Sequence, residues 1–218
     1  MWRDIQAEWT SPDIALATLD LPSVSGVGSL LADARAVVDA CRDLAGPLVL
    51  LGHSYGGAVV TQASLAISDL AGVVYLAAFR PHLHESVTAA SRRATSPNDL
   101  DPTLAWSDGA LVLTSGSAHA LFDDPHGRLA LDCLASAHRQ PLETFREELS
   151  SDVPHGVWTH YIACEHDRTI PRELQMEMAG VCSDQSSLPT GHCPQVDDPR
   201  GTAQHVRSVV EVTLSRTR

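Results

Sequence analysis

Gly52-His53-Ser54-Tyr55-Gly56-Gly57 follows directly on the apolar run Leu48 to Leu51 and precedes a small-residue stretch that ends near Ile67. A G-x-S-x-G turn between a strand and a helix holds its serine hydroxyl clear of the sheet, on strained backbone, beside a helix N-terminus that favours negative charge. Gly52 and Gly56 are expected to let strand and helix approach closely, because neither carries a Cβ atom. The backbone N–H of Tyr55 is placed to face an oxyanion. A chance glycine-rich turn is the competing reading, and the correct flanks on both sides weigh against it.

A serine at its free pKa is a weak nucleophile, so a base and an orienting acid must lie elsewhere in the chain. With 11 histidines present, any one is cheap to invoke. His192, in Leu188-Pro189-Thr190-Gly191-His192-Cys193-Pro194, follows the last expected strand and precedes the last expected helix. A loop there reaches the carboxyl ends of the strands, the same edge as Ser54. Asp167 lies three residues beyond the apolar run Trp158 to Cys164, at that edge again. Glu165 on the same loop, and Asp197 or Asp198 further on, stay open as alternative acids.

Other signals have bland readings that outweigh the sharp ones. His82-x-His84-Glu85 has ligand types suited to zinc, yet no further ligand pattern supports a metal, and a polar hinge is expected there. His53 could touch substrate or pack under the turn. Cys164, in Cys164-Glu165-His166, reads as an inert thiol at a buried strand end rather than a nucleophile. Phe122 is expected to line an apolar pocket. Trp106 and Trp158 could do the same, or fill the core between sheet and covering segment.

The elements that must position these residues follow from periodicity. Asp13 to Leu21 reads as a strand, residues 30–44 as an amphipathic helix, Leu48 to Leu51 as a buried strand, 56–67 as a helix and Val73 to Ala77 as another buried strand. This alternation argues for a mostly parallel sheet with helices on both faces. From 80 to 154 the rhythm breaks into Pro, Asp, Ser and His clusters around two helical pieces, one carrying Leu129, Cys133 and Leu134, the other Leu142, Phe145 and Leu149. That segment is expected to be an insertion within a single domain. The pattern resumes with the Trp158 to Cys164 strand, a helix after Pro171, a short strand at Ser187-Leu188 and a last helix through Val206 and Leu214.

Composition bounds the partners. The 218 residues carry a formal charge of −12 at pH 7 and no lysine, since all 15 basic residues are arginine. A field of that sign disfavours nucleic acid and anionic membrane, and the missing lysine excludes Schiff-base and pyridoxal-phosphate chemistry. No apolar run approaches the ~18 residues of a membrane helix. MWRDIQAEWT has no basic start followed by an apolar stretch, so no secretion signal is expected. Five cysteines without CxxC spacing suit free thiols in a reducing cytoplasm, with a Cys182–Cys193 pair as the minor alternative. A small-molecule substrate is the expected partner, and no cofactor is; self-association into a homodimer is left open.

GHSYGG, YIACEHDRTIP and LPTGHCPQVDDP, in this order, resemble the α/β-hydrolase superfamily, in the small branch of plant methyl-salicylate-type esterases, hydroxynitrile lyases and their bacterial relatives. Leu19-Asp20-Leu21-Pro22 is similar to the family's early turn, although Ser23 stands where glycine is usual. Ala77-Ala78-Phe79 resembles the strand end before the family's helical cap, and the segments around Phe122-Asp123-Asp124 and Arg139-Gln140-Pro141 resemble the cap itself. The resemblance implies nucleophile Ser54, acid Asp167 and base His192, in the chain order of that fold.

One departure stands out. Family members begin with a central strand ending in His-Gly, which supplies the second oxyanion N–H; here Met1-Trp2-Arg3-Asp4-Ile5 aligns with the far side of that loop. Either the given start lies downstream of the true one, or the protein works with half an oxyanion hole and a disturbed sheet. The expected activity is hydrolysis of a small, largely apolar ester or lactone through an acyl-enzyme. The alternatives are a lyase or cyclase using His192 as general base, and a non-catalytic ligand-binding protein.

Overall fold

A computed structural model describes residues 2–216 of the chain. Four strands, β1 (Leu48–Ser54), β2 (Leu70–Ala78), β6 (Trp158–Cys164) and β7 (Asp184–Leu188), form a parallel sheet in the order β1-β2-β6-β7. β2 is apolar over most of its length and buried on both faces, as a central parallel strand must be. One face is covered by α2 (Leu30–Cys41), α3 (Gly56–Ser64) and α8 (Arg172–Ala179), whose buried Leu30, Ala34, Ala58, Val59, Leu174 and Met178 pack with Val73, Tyr75 and Tyr161. The other face is covered by α10 (Pro199–Ser215) through Val206, Val209 and Val210, with α1 (Arg3–Glu8) packed on α10. Both faces being covered, the carboxyl ends of the strands are where polar loops gather.

Two of the helices that cover the sheet start at side-chain caps. Ser29 caps α2 by accepting a hydrogen bond from Ala32 N–H at 3.1 Å, and Asp198 caps α10 through Gly201 N–H. Between β2 and β6 the chain leaves the sheet. It forms the short α4 (Val87–Ser91), a small antiparallel sheet of β3 (Ala105–Ser107), β4 (Ala110–Val112) and β5 (Gln140–Pro141), then α5 (Ala118–Leu121), α6 (Arg128–Ala135) and α7 (Glu143–Arg146). Ala118, Leu121, Phe122 and Ala130 of this segment form one buried cluster with Cys193 and Val196, beyond β7. The short α9 (Pro194–Asp197) lies between His192 and α10.

Three expectations are corrected. Asp13 to Leu21 is irregular rather than a strand, although Ile14 and Leu16 are half-buried and Ala15 and Ala17 exposed, as alternation requires. Among the described residues it has no ladder partner, and β1 pairs only with β2. An alternating pattern without a partner strand leaves backbone groups unpaired and does not make a strand. The small antiparallel sheet was not expected at all. Trp106 on β3 is 65% exposed, so it neither fills the core nor lines a pocket.

Of Met1-Trp2-Arg3-Asp4-Ile5, Met1 lies outside the described residues and the rest opens α1. All five cysteines are free. Among the described residues, no helix is long and apolar enough to cross a membrane, and no group of three or more His, Cys, Asp or Glu could hold a metal ion.

Candidate active site

Ser54 closes β1 with φ +53°, a left-handed conformation that a non-glycine residue adopts only when its surroundings over-determine it. Those surroundings are visible. A Cβ on Gly52 would lie 2.5 Å from the Gly56 carbonyl oxygen, and one on Gly57 would lie 2.4 Å from the Phe79 carbonyl oxygen. Gly52 and Gly57 thus allow the close packing at the turn, whereas Gly56, expected to matter, faces open space. Phe79 N–H donates to the Ser54 carbonyl at 3.0 Å and ties the elbow to the end of β2.

The loops after β6 and β7 bring two further groups to Ser54. His192 Nε2 lies 3.0 Å from Ser54 Oγ, and His192 Nδ1 lies 2.9 Å from Asp167 Oδ2. A carboxylate only accepts, so Nδ1 carries the proton and Nε2 presents its lone pair to the serine hydroxyl. The His192 side chain is 2% exposed and that of Asp167 is fully buried, which strengthens their interaction by excluding water. Thr169 and Ile170 N–H donate to Asp167 Oδ1 at 2.7 and 2.9 Å.

The alternative acids are engaged elsewhere. Glu165 is exposed and accepts from Ser187 Oγ, Asp197 accepts from Asp123 N–H, and Asp198 caps α10. Burial raises the Asp197 carboxyl to a pKa of about 6. Its neighbour Asp123 accepts from Gly191 N–H at 2.8 Å, beside the histidine.

His53 packs against the His192 loop. Its Nε2 lies 2.7 Å from the His192 carbonyl oxygen, so it carries the proton and donates; its Nδ1 receives Gln195 Nε2 at 3.3 Å. Burial, with His192 nearby, pushes its pKa down to about 3, and the neutral ring acts as a prop under the His192 loop. Trp2 packs edge-on to the same ring, with centroids 6.3 Å apart.

Tyr55 is the N-cap of α3, so its N–H lies among the amides at the helix start that have no intrahelical acceptor. Its phenol donates to Asp33 Oδ2 at 2.8 Å, and its pKa is raised by burial and by that carboxylate. Asp33 is itself buried on α2 and accepts from Ser23 N–H at 2.9 Å. Nothing in the sequence marked Asp33, which reads there as one more polar residue on an amphipathic helix.

The residues expected to touch substrate fare differently. Phe122 is 2% exposed and belongs to the cluster that joins the 80–154 segment to the His192 loop. Trp158 is misplaced in the expectation. It is the first residue of β6, paired with Gly72, whereas Ser54 pairs with Ala78. Six residues of parallel strand put it roughly 20 Å away, at the opposite edge of the sheet. There Arg216 stacks over its ring at 3.9 Å. His82 and His84 are exposed, and Glu85 pairs with Arg93, which leaves them as polar surface. Burial pushes the Cys164 thiol up to about 12, which makes it inert.

Comparison with known proteins places this geometry in context. The curated Alpha/beta hydrolase nvfD of Aspergillus novofumigatus (strain IBT 16806) is 24% identical over 177 residues, covering 74% of this chain and 69% of its own. The crystal structure of a pyrethroid hydrolase from Sphingobium faniae JZ-2 superposes with a TM-score of 0.72 at 18% identity, covering 88% of this chain and 84% of that one. A variant of tomato methylketone synthase I complexed with beta-ketoheptanoate superposes with a TM-score of 0.76 at 12% identity, covering 97% and 93%. The family model described as "Alpha/beta hydrolase family" matches residues 1–205, and the chain belongs to that family.

Proposed function

We propose that the protein is a serine hydrolase of the carboxylesterase or lactonase type, acting on a small, largely apolar ester. The observation that carries this reading is the continuous hydrogen-bonded line from Ser54 Oγ through His192 to Asp167, at 3.0 and 2.9 Å, on an elbow with positive φ. Ser54 Oγ attacks the ester carbonyl carbon as its proton passes to His192 Nε2. The carbonyl oxygen becomes an oxyanion facing the Tyr55 N–H, while Asp167 steadies the imidazolium. Collapse expels the alcohol, which takes the proton from His192, and leaves an acyl group on Ser54. Water, deprotonated by the same histidine, then releases the acid. No cofactor enters this sequence.

A second reading keeps the pocket and drops the acyl-enzyme, with His192 as general base in a lyase or cyclase. It is favoured by a single feature: among the described residues the elbow presents one identified oxyanion donor, Tyr55 N–H, and losing one of two typically costs ~10²–10³ in rate. Pre-steady-state kinetics with p-nitrophenyl acetate separate the two. A burst of nitrophenol equal to the enzyme concentration, followed by slower turnover, supports the hydrolase. Stoichiometric labelling by a fluorophosphonate without any burst or turnover supports the second reading, and neither signal rejects both.

A further inference from the structure

Gln175 on α8 is fully buried, and its side-chain amide is bonded on every side. Its Oε1 accepts from Cys164 N–H at 3.0 Å. Its Nε2 donates to the Ile170 carbonyl at 2.8 Å, to Asp167 Oδ2 at 3.1 Å and, more weakly, to the Cys164 carbonyl at 3.3 Å. The orientation of the amide is settled by these partners, because a backbone N–H needs the oxygen and the carbonyl and carboxylate oxygens need the nitrogen.

Asp167 Oδ2 is therefore shared. The same oxygen receives His192 Nδ1 at 2.9 Å, while Thr169 and Ile170 N–H fill Oδ1. A carboxylate has about four lone-pair sites. Backbone donors of the acid's own loop hold Oδ1, but they leave the carboxylate free to pivot about that end. The Gln175 donor removes that freedom and fixes Oδ2 in line with the imidazole.

We propose that Gln175 is a positioning residue for the reaction: its amide clamps Asp167 Oδ2 so that the carboxylate meets His192 Nδ1 in the one orientation that aims Nε2 at Ser54. The inference rests on the serine-hydrolase reading of the site. A merely structural amide, tying α8 to the end of β6 through Cys164 and Ile170, would lower stability and leave the chemistry alone.

The experiment combines kinetics with proton NMR on the full chain. Gln175→Met keeps the length and removes both donors and the acceptor. Thr213→Val, which removes a buried Thr213 hydroxyl bonded to the Val209 carbonyl on α10, is the matched destabilising control. Gln175→Met is expected to lower kcat for p-nitrophenyl acetate by up to about 100-fold, the order of loss a misplaced group produces, with KM within about twofold of wild type. The low-field ring proton of His192 shifts with it, whereas Thr213→Val moves neither.

If Gln175→Met does not fold, the wild type compared with Asp167→Asn still decides. Its Gln175 side-chain amide protons must shift in 15N spectra when Asp167→Asn is introduced. Unmoved Gln175 resonances, or a Gln175→Met protein with wild-type kcat and an unmoved His192 proton, overturn the proposal. The failure of the underlying reading looks different: Ser54→Ala would then retain full turnover.

Discussion

The two flanks of Ser54 are held in contrasting ways. On the β6–β7 side, Asp167 receives four donors, His192 is buried, and its loop is propped through its own carbonyl by His53 and beside it by Asp123. On the β1 side, the proposed oxyanion donor identified among the described residues is one backbone amide, Tyr55 N–H, on a turn tied by the Tyr55–Asp33 bond and by glycines packed against backbone. Residues 13–21 run past without joining the sheet. The proposed base and acid are held by several named bonds, whereas the proposed charge stabilisation rests on few groups among the described residues. In the proposed reaction, proton transfer then depends on specific bonds that a single substitution can break, and oxyanion stabilisation on the placement of one amide.

That contrast can be broken hardest on the side of the acid. Asp167→Asn is expected to lower kcat by up to ~10⁴, because an amide at that position favours the wrong imidazole tautomer. Glu165→Gln, two residues away and exposed, should change kcat by less than a factor of two. A reversal of these two results in ester hydrolysis assays would put the acid at Glu165.

On the oxyanion side, Gly52→Ala and Gly57→Ala place a methyl group against backbone and should cost ~1–3 kcal/mol of stability by overpacking, together with most activity. Gly56→Ala, facing open space, should be tolerated in both respects. Denaturant titration beside the kinetics checks this. Tyr55→Phe keeps the backbone donor and orphans one buried oxygen of Asp33, so a loss of ~1–3 kcal/mol in stability is expected with a smaller effect on rate. A rate loss without a stability loss would contradict the assignment of Asp33 as a structural tie.

The smallest expected effect concerns acid. Burial lowers His53 to about 3 and also lowers His160 and His205. These rings contribute stability above the unfolded histidine value of about 6.5, and lose it as pH falls through that value toward the folded one. Asp197 works the other way. Raised to about 6, it contributes stability that is full below the ordinary carboxylate range and is lost as pH rises toward 6. Asp197→Asn should steepen the loss of Tm between about pH 6 and 4, and an unchanged slope would remove Asp197 from the balance.

Much of this arrangement is legible in the residues, and the exceptions have physical causes. β1, β2 and β6 show as apolar runs, and the helices beside them as repeats of three and four, because burial writes both patterns directly. The G-x-S-x-G turn marks Ser54, and its position implies that catalytic loops follow strand ends. Applied to Trp158, the same rule would have corrected the expectation, since the first residue of a parallel strand lies at the far edge.

The β3–β4 hairpin carries a sequence signal in its turn. Asp108-Gly109 joins its strands with φ of 47° and 77°, the pair of positive values a two-residue turn of this hand requires. Residues 13–21 show the opposite failure, a strand pattern without a partner. Asp33 and Gln175 left no trace, because a buried polar residue on a helix looks like a surface one until the neighbouring loops are in place.

The central claim is that Ser54 is the nucleophile of a working acid–base line. Intact-mass analysis and peptide mapping after reaction with a fluorophosphonate test it most directly. One adduct per chain is predicted, located on Ser54, absent in Ser54→Ala and formed far more slowly in Asp167→Asn and His192→Ala. An adduct on another residue, or equal labelling of wild type and Ser54→Ala, would contradict the account.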